Sequence, residues 1–269
     1  MSGTFPLAFS VTSGKGGVGK TNISINLAIS LARLGKRVVL LDADFGLANV
    51  DVLLGLTPKK NILDLLQGAS LRDILFPTPY GFSMLPASSG SMLSLSTGQK
   101  FELLELVSEL EDDLDYLITD TGAGIGDNVR YFNLAAQERL LILTPEPTSL
   151  TDAYALIKVL KQAHDVESFK ICVNMTPNEK DAKNIFMRLH HACEHFLSGV
   201  SLDLAGIIPR DTEVRKAVIR QLPFCIGSPG CEASKALARL AATISEWEVP
   251  KHLDGNIKFF WKKLLFREN

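Results

Sequence analysis

Apolar residues in this chain come in short unbroken runs rather than in strict alternation with polar ones. The runs are "LAFSVT" (7–12), "RVVLLDA" (37–43), "LDYLITD" (114–120), "RLLILT" (139–144), "FKICVN" (169–174) and "LDLAGIIP" (202–209). Runs of this kind suit strands covered on both faces. Between them the apolar positions fall at helical spacing, which predicts helices over 20–34, 62–66, 128–136, 150–164, 181–197 and 213–220. Gly35 stands where a C′ glycine closes a helix. Strand then helix, repeated along the chain, predicts an α/β fold: a doubly wound, mostly parallel sheet with helices on both sides.

Length and composition narrow this further. A chain of 269 residues can bury one large core, and no repeat, low-complexity tract or long linker interrupts it, so one domain is expected over 1–248 and a linker with a tail over 249–269. Hydrophobic content of 46%, charged content of 22% and a net charge of -2 describe an ordinary globular chain. With a pI near 6.2, nothing global favours nucleic acid. Cys172, Cys193, Cys225 and Cys231 form no C-x-x-C pair, which argues against a zinc ribbon and suits reduced thiols. The first residues lack the basic flank and apolar core of a signal peptide, and no run reaches the length of a membrane span. A cytoplasmic protein whose membrane contact is peripheral is therefore expected.

The chemistry concentrates after the first run, in "SGKGGVGKTN" (13–22). Gly14-x-x-x-x-Gly19-Lys20-Thr21 fits the phosphate-binding loop, in which backbone N–H groups and one lysine surround nucleotide phosphates and the threonine hydroxyl ligates Mg²⁺. It lies between a predicted strand and a predicted helix, at the carboxyl end of the sheet where doubly wound folds bind ligands. Lys15 is surplus to that pattern. "LITD" ends a buried run at Asp120, as a metal-site aspartate does, and "LLDAD" ends another with Asp42 and Asp44. Each aspartate alone is compatible with a turn or cap role, and Asn174 with a plain turn.

"KGGVGKT", with Lys15, resembles the deviant Walker A motif of the MinD/ParA family of ATPases. The likeness extends through "DADFGLANVD", "ITDTGAGI", "TPEPTSLTDAY" and "GIIPRD", over residues 8–245. Within the family, "LLDADFGLANVDVLLGL" with "DTGAGI" is most similar to the FlhG branch (FleN, YlxH), which regulates flagellar number and placement. The resemblance implies an ATP- and Mg²⁺-dependent homodimer with slow ATP hydrolysis, stimulated by dimerisation or by a partner. By it, Gly14, Lys15, Gly16, Gly17, Val18, Gly19, Lys20 and Thr21 hold phosphate, and Lys15 crosses to the nucleotide of the second chain. Asp44 positions the attacking water, while Thr21, Asp120 and Asp42 serve the metal. Asn174, Pro209, Arg210 and Asp211 surround the adenine, and Glu146 meets the partner's ribose.

The tail "NIKFFWKKLLF" places Ile257, Phe260, Trp261, Leu264 and Leu265 on one helical face, with Lys258, Lys262, Lys263 and Arg267 elsewhere. That pattern predicts an interfacial helix on an anionic membrane surface, peripheral on the inner face when ATP is bound. Phe259 and Phe266 blur the amphipathicity and suit the alternative, a helix docked on the protein itself. FlhG proteins often carry a polar N-terminal segment that stimulates a GTPase partner of the FlhF type. Here few residues precede the first run, which leaves that activity in doubt. Competing expectations are a MinD-like regulator of the division site and a ParA-like ATPase using Arg210, Arg215, Lys216 and Arg220 on DNA. An iron–sulfur protein of the same fold would need a cysteine after Asp120 in the switch region, and none is there.

Overall fold

Every one of the unbroken apolar runs becomes a strand, and the strands align so that their carboxyl ends share one edge of the molecule. The computed structural model describes residues 5–45, 49–87, 95–249 and 258–260. In chain order the elements are β1 (Leu7–Ser13), α1 (Lys20–Arg33), β2 (Val38–Ala43), α2 (Val50–Leu54), α3 (Ile62–Leu66), α4 (Leu71–Ile74), β3 (Phe76–Pro77), β4 (Ser83–Leu85) and α5 (Thr97–Ser108). They continue with β5 (Tyr116–Ala123), α6 (Asp127–Ala135), β6 (Glu138–Leu143), α7 (Pro147–His164), β7 (Ser168–Thr176), α8 (Glu179–Phe196), β8 (Ser201–Pro209), α9 (Thr212–Ile219), α10 (Phe224–Gly227) and α11 (Glu232–Ser245).

Among the described residues the sheet has eight strands in the order β3-β4-β2-β5-β1-β6-β7-β8, and only the β3–β4 pairing is antiparallel. Neighbours of β1 lie on opposite sides, β5 toward the low-numbered half and β6 toward the other, so the winding reverses at β1 and opens a crevice beyond its end. Register brings Asp42 and Asp120 side by side at the ends of β2 and β5. Alternate residues of β1 serve different cores: Leu7, Phe9 and Val11 join α1 and α11, while Ala8 joins the cluster under α3 and α5. Phe9 is fully buried and meets Trp247 edge-on at 5.8 Å. Gly35 takes the C′ position of α1 with φ 76, as its place in the sequence predicts.

The segment 258–260 departs from expectation. Phe259 and Phe260 are fully buried in the cluster under α5 and α6, and Lys258 is 3% exposed. Lys258 Nζ donates to Leu134 O at 2.8 Å, and Phe259 N–H donates to Ala135 O at 2.9 Å. These carbonyls belong to the last turn of α6, where a helix has no partners of its own. Phe260 N–H donates to Ser108 Oγ at 3.1 Å, and its φ of 61 puts a turn where the tail pattern predicts continuous helix. Phe260 therefore faces the core. Ile257, Trp261, Leu264 and Leu265 lie outside the described residues. No described helix is long and apolar enough to cross a membrane.

Candidate functional site

β1 ends at Ser13, and the chain turns through 14–19 into α1. The turn needs glycine twice for different reasons. A side chain on Gly14 would collide with the Asp152 carbonyl on α7, and Gly19, at φ 93, is left-handed with Asn174 Nδ2 only 2.6 Å from where a Cβ would sit. Gly19 is the N-cap of α1 and makes no side-chain cap, so the first-turn amides remain open to an anion at the positive end of the helix. Lys20 is buried, and its Nζ donates to Ser13 Oγ at 3.0 Å. Burial lowers its pKa, while the charges of Asp120 and Asp44 pull it back up.

Lys15 points the other way, out of the loop. Its ammonium donates to the Glu146 carboxylate and, at 2.8 Å, to Thr148 Oγ1 at the start of α7. Within one chain, then, the surplus lysine and Glu146 hold each other, an arrangement that the resemblance did not anticipate.

Three carboxylates stand near the ends of β2 and β5 with different partners. Asp120 is 1% exposed and accepts from Ser24 Oγ at 2.8 Å and from the Thr21 hydroxyl. Burial raises it to about 6; the two hydroxyls and Lys20 oppose that shift and Asp44 adds to it. Asp42 is turned to the backbone: one oxygen accepts from Asp44 N–H at 3.1 Å, the other from the N–H groups of Asn49 and Val50 at 3.2 and 3.3 Å. These bonds brace the loop that carries Asp44 and the start of α2. Asp44, half-buried, lines a cleft of about 660 Å³ with Gly16, Lys20, Thr21, Gly122 and Asn128. Among the described residues no three His, Cys, Asp or Glu side chains gather as a metal cage. Mg²⁺ takes one or two protein ligands and completes its shell with phosphate oxygens and water, so Thr21 and Asp120 fit it.

A second cleft of about 340 Å³ opens beside α9, lined by Asn174, Pro209, Arg210, Asp211, Val214 and Phe224. The residues expected around adenine are thus brought together. Two of them also have structural bonds: Asn174 Nδ2 donates to Val18 O at 2.8 Å, and Asp211 caps α9 by accepting from Glu213 N–H at 2.9 Å. Sequence reasoning missed Ser13, Ser24 and Thr148. Ser24 alone was findable, because it follows Thr21 by three positions on the same face of α1.

The raised carboxylates predict a pH dependence. Burial lifts Asp42 to about 8, the charge of Asp120 adds to the shift, and the three amides oppose it. A folded-state pKa above the unfolded value means that the native state keeps protons the unfolded chain has lost, so the stabilisation is complete below about pH 4 and fades as pH rises. Asp120's share is lost through about 6 and Asp42's through about 8. Depressed carboxylates such as Asp115, Glu179 and Asp211 titrate below this window and leave its slope alone. Melting of nucleotide-free protein from pH 5 to 8 should show falling stability, with the slope above pH 6.5 flattened in Asp42→Asn.

Residues 7–245 match a family model, ParA, described as the NUBPL iron-transfer P-loop NTPase. The antiactivator FleN of Pseudomonas aeruginosa is 48% identical over 258 residues, covering 95% of this chain and 92% of the relative. The flagellum site-determining protein YlxH of Helicobacter pylori is 34% identical, covering 95% of this chain and 88% of the relative. Among solved structures, MinD in the MinC:MinD cell division complex of Aquifex aeolicus superposes with a TM-score of 0.75 at 27% identity, covering 91% of this chain and 97% of that one.

Proposed function

Because the chain belongs to the ParA/MinD family of P-loop ATPases, hydrolysing ATP with Mg²⁺, we propose that it is an ATP-driven dimerising switch that regulates flagellar number and placement at the membrane surface. One feature carries this reading above the others: Lys15, a cation beside the phosphate loop that its own chain's site does not use. In a dimer it neutralises charge on the second chain's phosphates, which ties hydrolysis to pairing. Lys20 and the α1 amides hold the β and γ phosphates, Thr21 and Asp120 hold the metal, and Asp44 orients water.

The described part of the tail supports a nucleotide-gated membrane contact. The segment 258–260 is held on the last turn of α6, and α6 begins beside Gly122, Ala123 and Asn128 at the phosphate cleft. A γ-phosphate that repositions the 122–126 loop shifts α6 and loosens the dock at its other end. ADP then favours the docked tail and ATP the released one. Two released tails on a dimer bind together, because the second docks from an already high local concentration. The names of the relatives, an antiactivator and a flagellum site-determining protein, support the flagellar part of this reading.

Co-sedimentation with anionic vesicles tests the reading. Full-length protein should pellet more with ATP than with ADP and less with added salt. Trp261→Glu with Leu264→Glu should abolish pelleting and leave the fold intact. Truncation before Asn256 is a poorer probe, since it strips Phe259 and Phe260 from the core at about 1.5–3 kcal/mol per ring and should lower the melting temperature. Protein that stays in the supernatant with ATP and anionic lipid removes the membrane step.

A further inference from the structure

Among the described residues, the base cleft and the phosphate cleft share just three lining residues, Gly19, Asn22 and Met175. These residues form a throat: a ligand with its base in one cleft and its phosphates in the other must pass between them. From that geometry, and resting on the nucleotide-binding reading above, we infer that Met175 is the ribose contact of this site, a strained apolar gate that seats the sugar between the two clefts.

Met175 differs from its surroundings in two ways. It has φ 57, in the left-handed region that side chains other than glycine rarely adopt, and it is 39% exposed although large and apolar. A register shift between Val173 and Thr176 lifts it out of the β7–β8 ladder. Its neighbours pin the conformation from both sides. Asn174 Nδ2 donates to Val18 O, Thr176 Oγ1 donates to Asn178 O, and Arg210 N–H donates to Thr176 O, each at 2.8 Å. Strain held by flanking bonds in this way concentrates at functional positions. The side chain lies across the phosphate loop, with its ε-methyl 3.4 Å from the Cβ position of Gly19. A flexible thioether over a throat of backbone and amide suits the C–H face of a pentose, and it leaves hydrogen bonding to the base and phosphate groups.

The sugar is common to ATP and ADP, so the contact should strengthen both alike and play no part in sensing the γ-phosphate. Isothermal titration of Mg²⁺–ADP and of a non-hydrolysable Mg²⁺–ATP analogue into the full chain tests this, beside melting of the nucleotide-free protein. Met175→Ala should weaken both ligands by the same factor, about tenfold, and Met175→Leu, which restores the bulk, should stay within about threefold of wild type. Met175→Gly separates function from structure: it relieves the backbone, so the nucleotide-free protein should melt higher, yet it should bind both ligands at least as weakly as the alanine variant. Unchanged affinity in Met175→Ala, loss for only one nucleotide, or a lower melting temperature in Met175→Gly would each overturn the assignment. Lys20→Ala serves as the reference. If wild type and Lys20→Ala bind alike, the nucleotide site itself is misplaced; if Lys20→Ala fails to bind and Met175→Ala binds as wild type, only the gate is lost.

Discussion

Asp44→Ala should hydrolyse ATP at least about 100-fold more slowly than wild type while binding it as tightly. Asp44 follows β2 on the loop braced by Asp42 and lines the phosphate cleft beside Gly122, whereas the cradle itself is built from the 14–19 loop, Lys20 and the open amides of α1. Removing the carboxylate therefore takes away the group that orients water and leaves the groups that hold phosphate. ATP that binds but does not react should accumulate the dimer, visible as an earlier peak in size-exclusion chromatography with Mg²⁺–ATP. A variant that remains monomeric under saturating ATP, or that turns over at the wild-type rate, contradicts the role.

Lys15→Ala should have the opposite signature, with nucleotide affinity nearly unchanged and ATP-dependent dimers absent. In the single chain Lys15 pairs with Glu146 and Thr148, its side chain 32% and that of Glu146 62% exposed. Exposed ion pairs of this kind are typically worth about 0.2–1 kcal/mol. A triphosphate presented by a second chain offers more charge in a drier setting and should draw the lysine away. The same exchange frees Glu146, so its expected meeting with the partner's ribose and its observed pairing with Lys15 belong to different states. Hydrolysis per chain in wild type should rise with protein concentration, and in Lys15→Ala it should stay flat. Dimers of Lys15→Ala with ATP would remove the action across the interface.

Elements came out of the sequence where the hydrophobic signal is local and strong. All six unbroken runs are strands within three residues of their predicted limits, and the helix predicted over 62–66 is α3. The elements missed have weaker signals. In α11 three of the buried positions with helical spacing are alanines, Ala233, Ala236 and Ala241, and in α5 polar residues surround the few buried leucines. β4 is three residues long and draws its stability from β2. Short or alanine-rich segments become regular because a neighbour covers them, and a neighbour is a tertiary fact.

By itself the sequence determined the strand–loop–helix that carries Gly14, Lys20 and Thr21, because glycine spacing and a flanking apolar run are properties of one continuous segment. It also placed Asp42, Asp44 and Asp120 at strand ends. Which of them turns toward phosphate depended on the fold. Asp42 and Asp120 sit side by side in register, yet three backbone amides of the following loop claim Asp42, while Asp120 bonds Ser24 and Thr21 of α1, and Thr21 lines the cleft. Met175 gained its place from a register shift between strands, which no local pattern encodes. The tail shows the limit most plainly: helical spacing put Phe260 on a lipid-facing stripe, but an apolar side chain goes to whichever apolar surface is within reach. In the folded chain that surface lies under α5 and α6, where the unpaired carbonyls of Leu134 and Ala135 also take up the backbone and the lysine beside it.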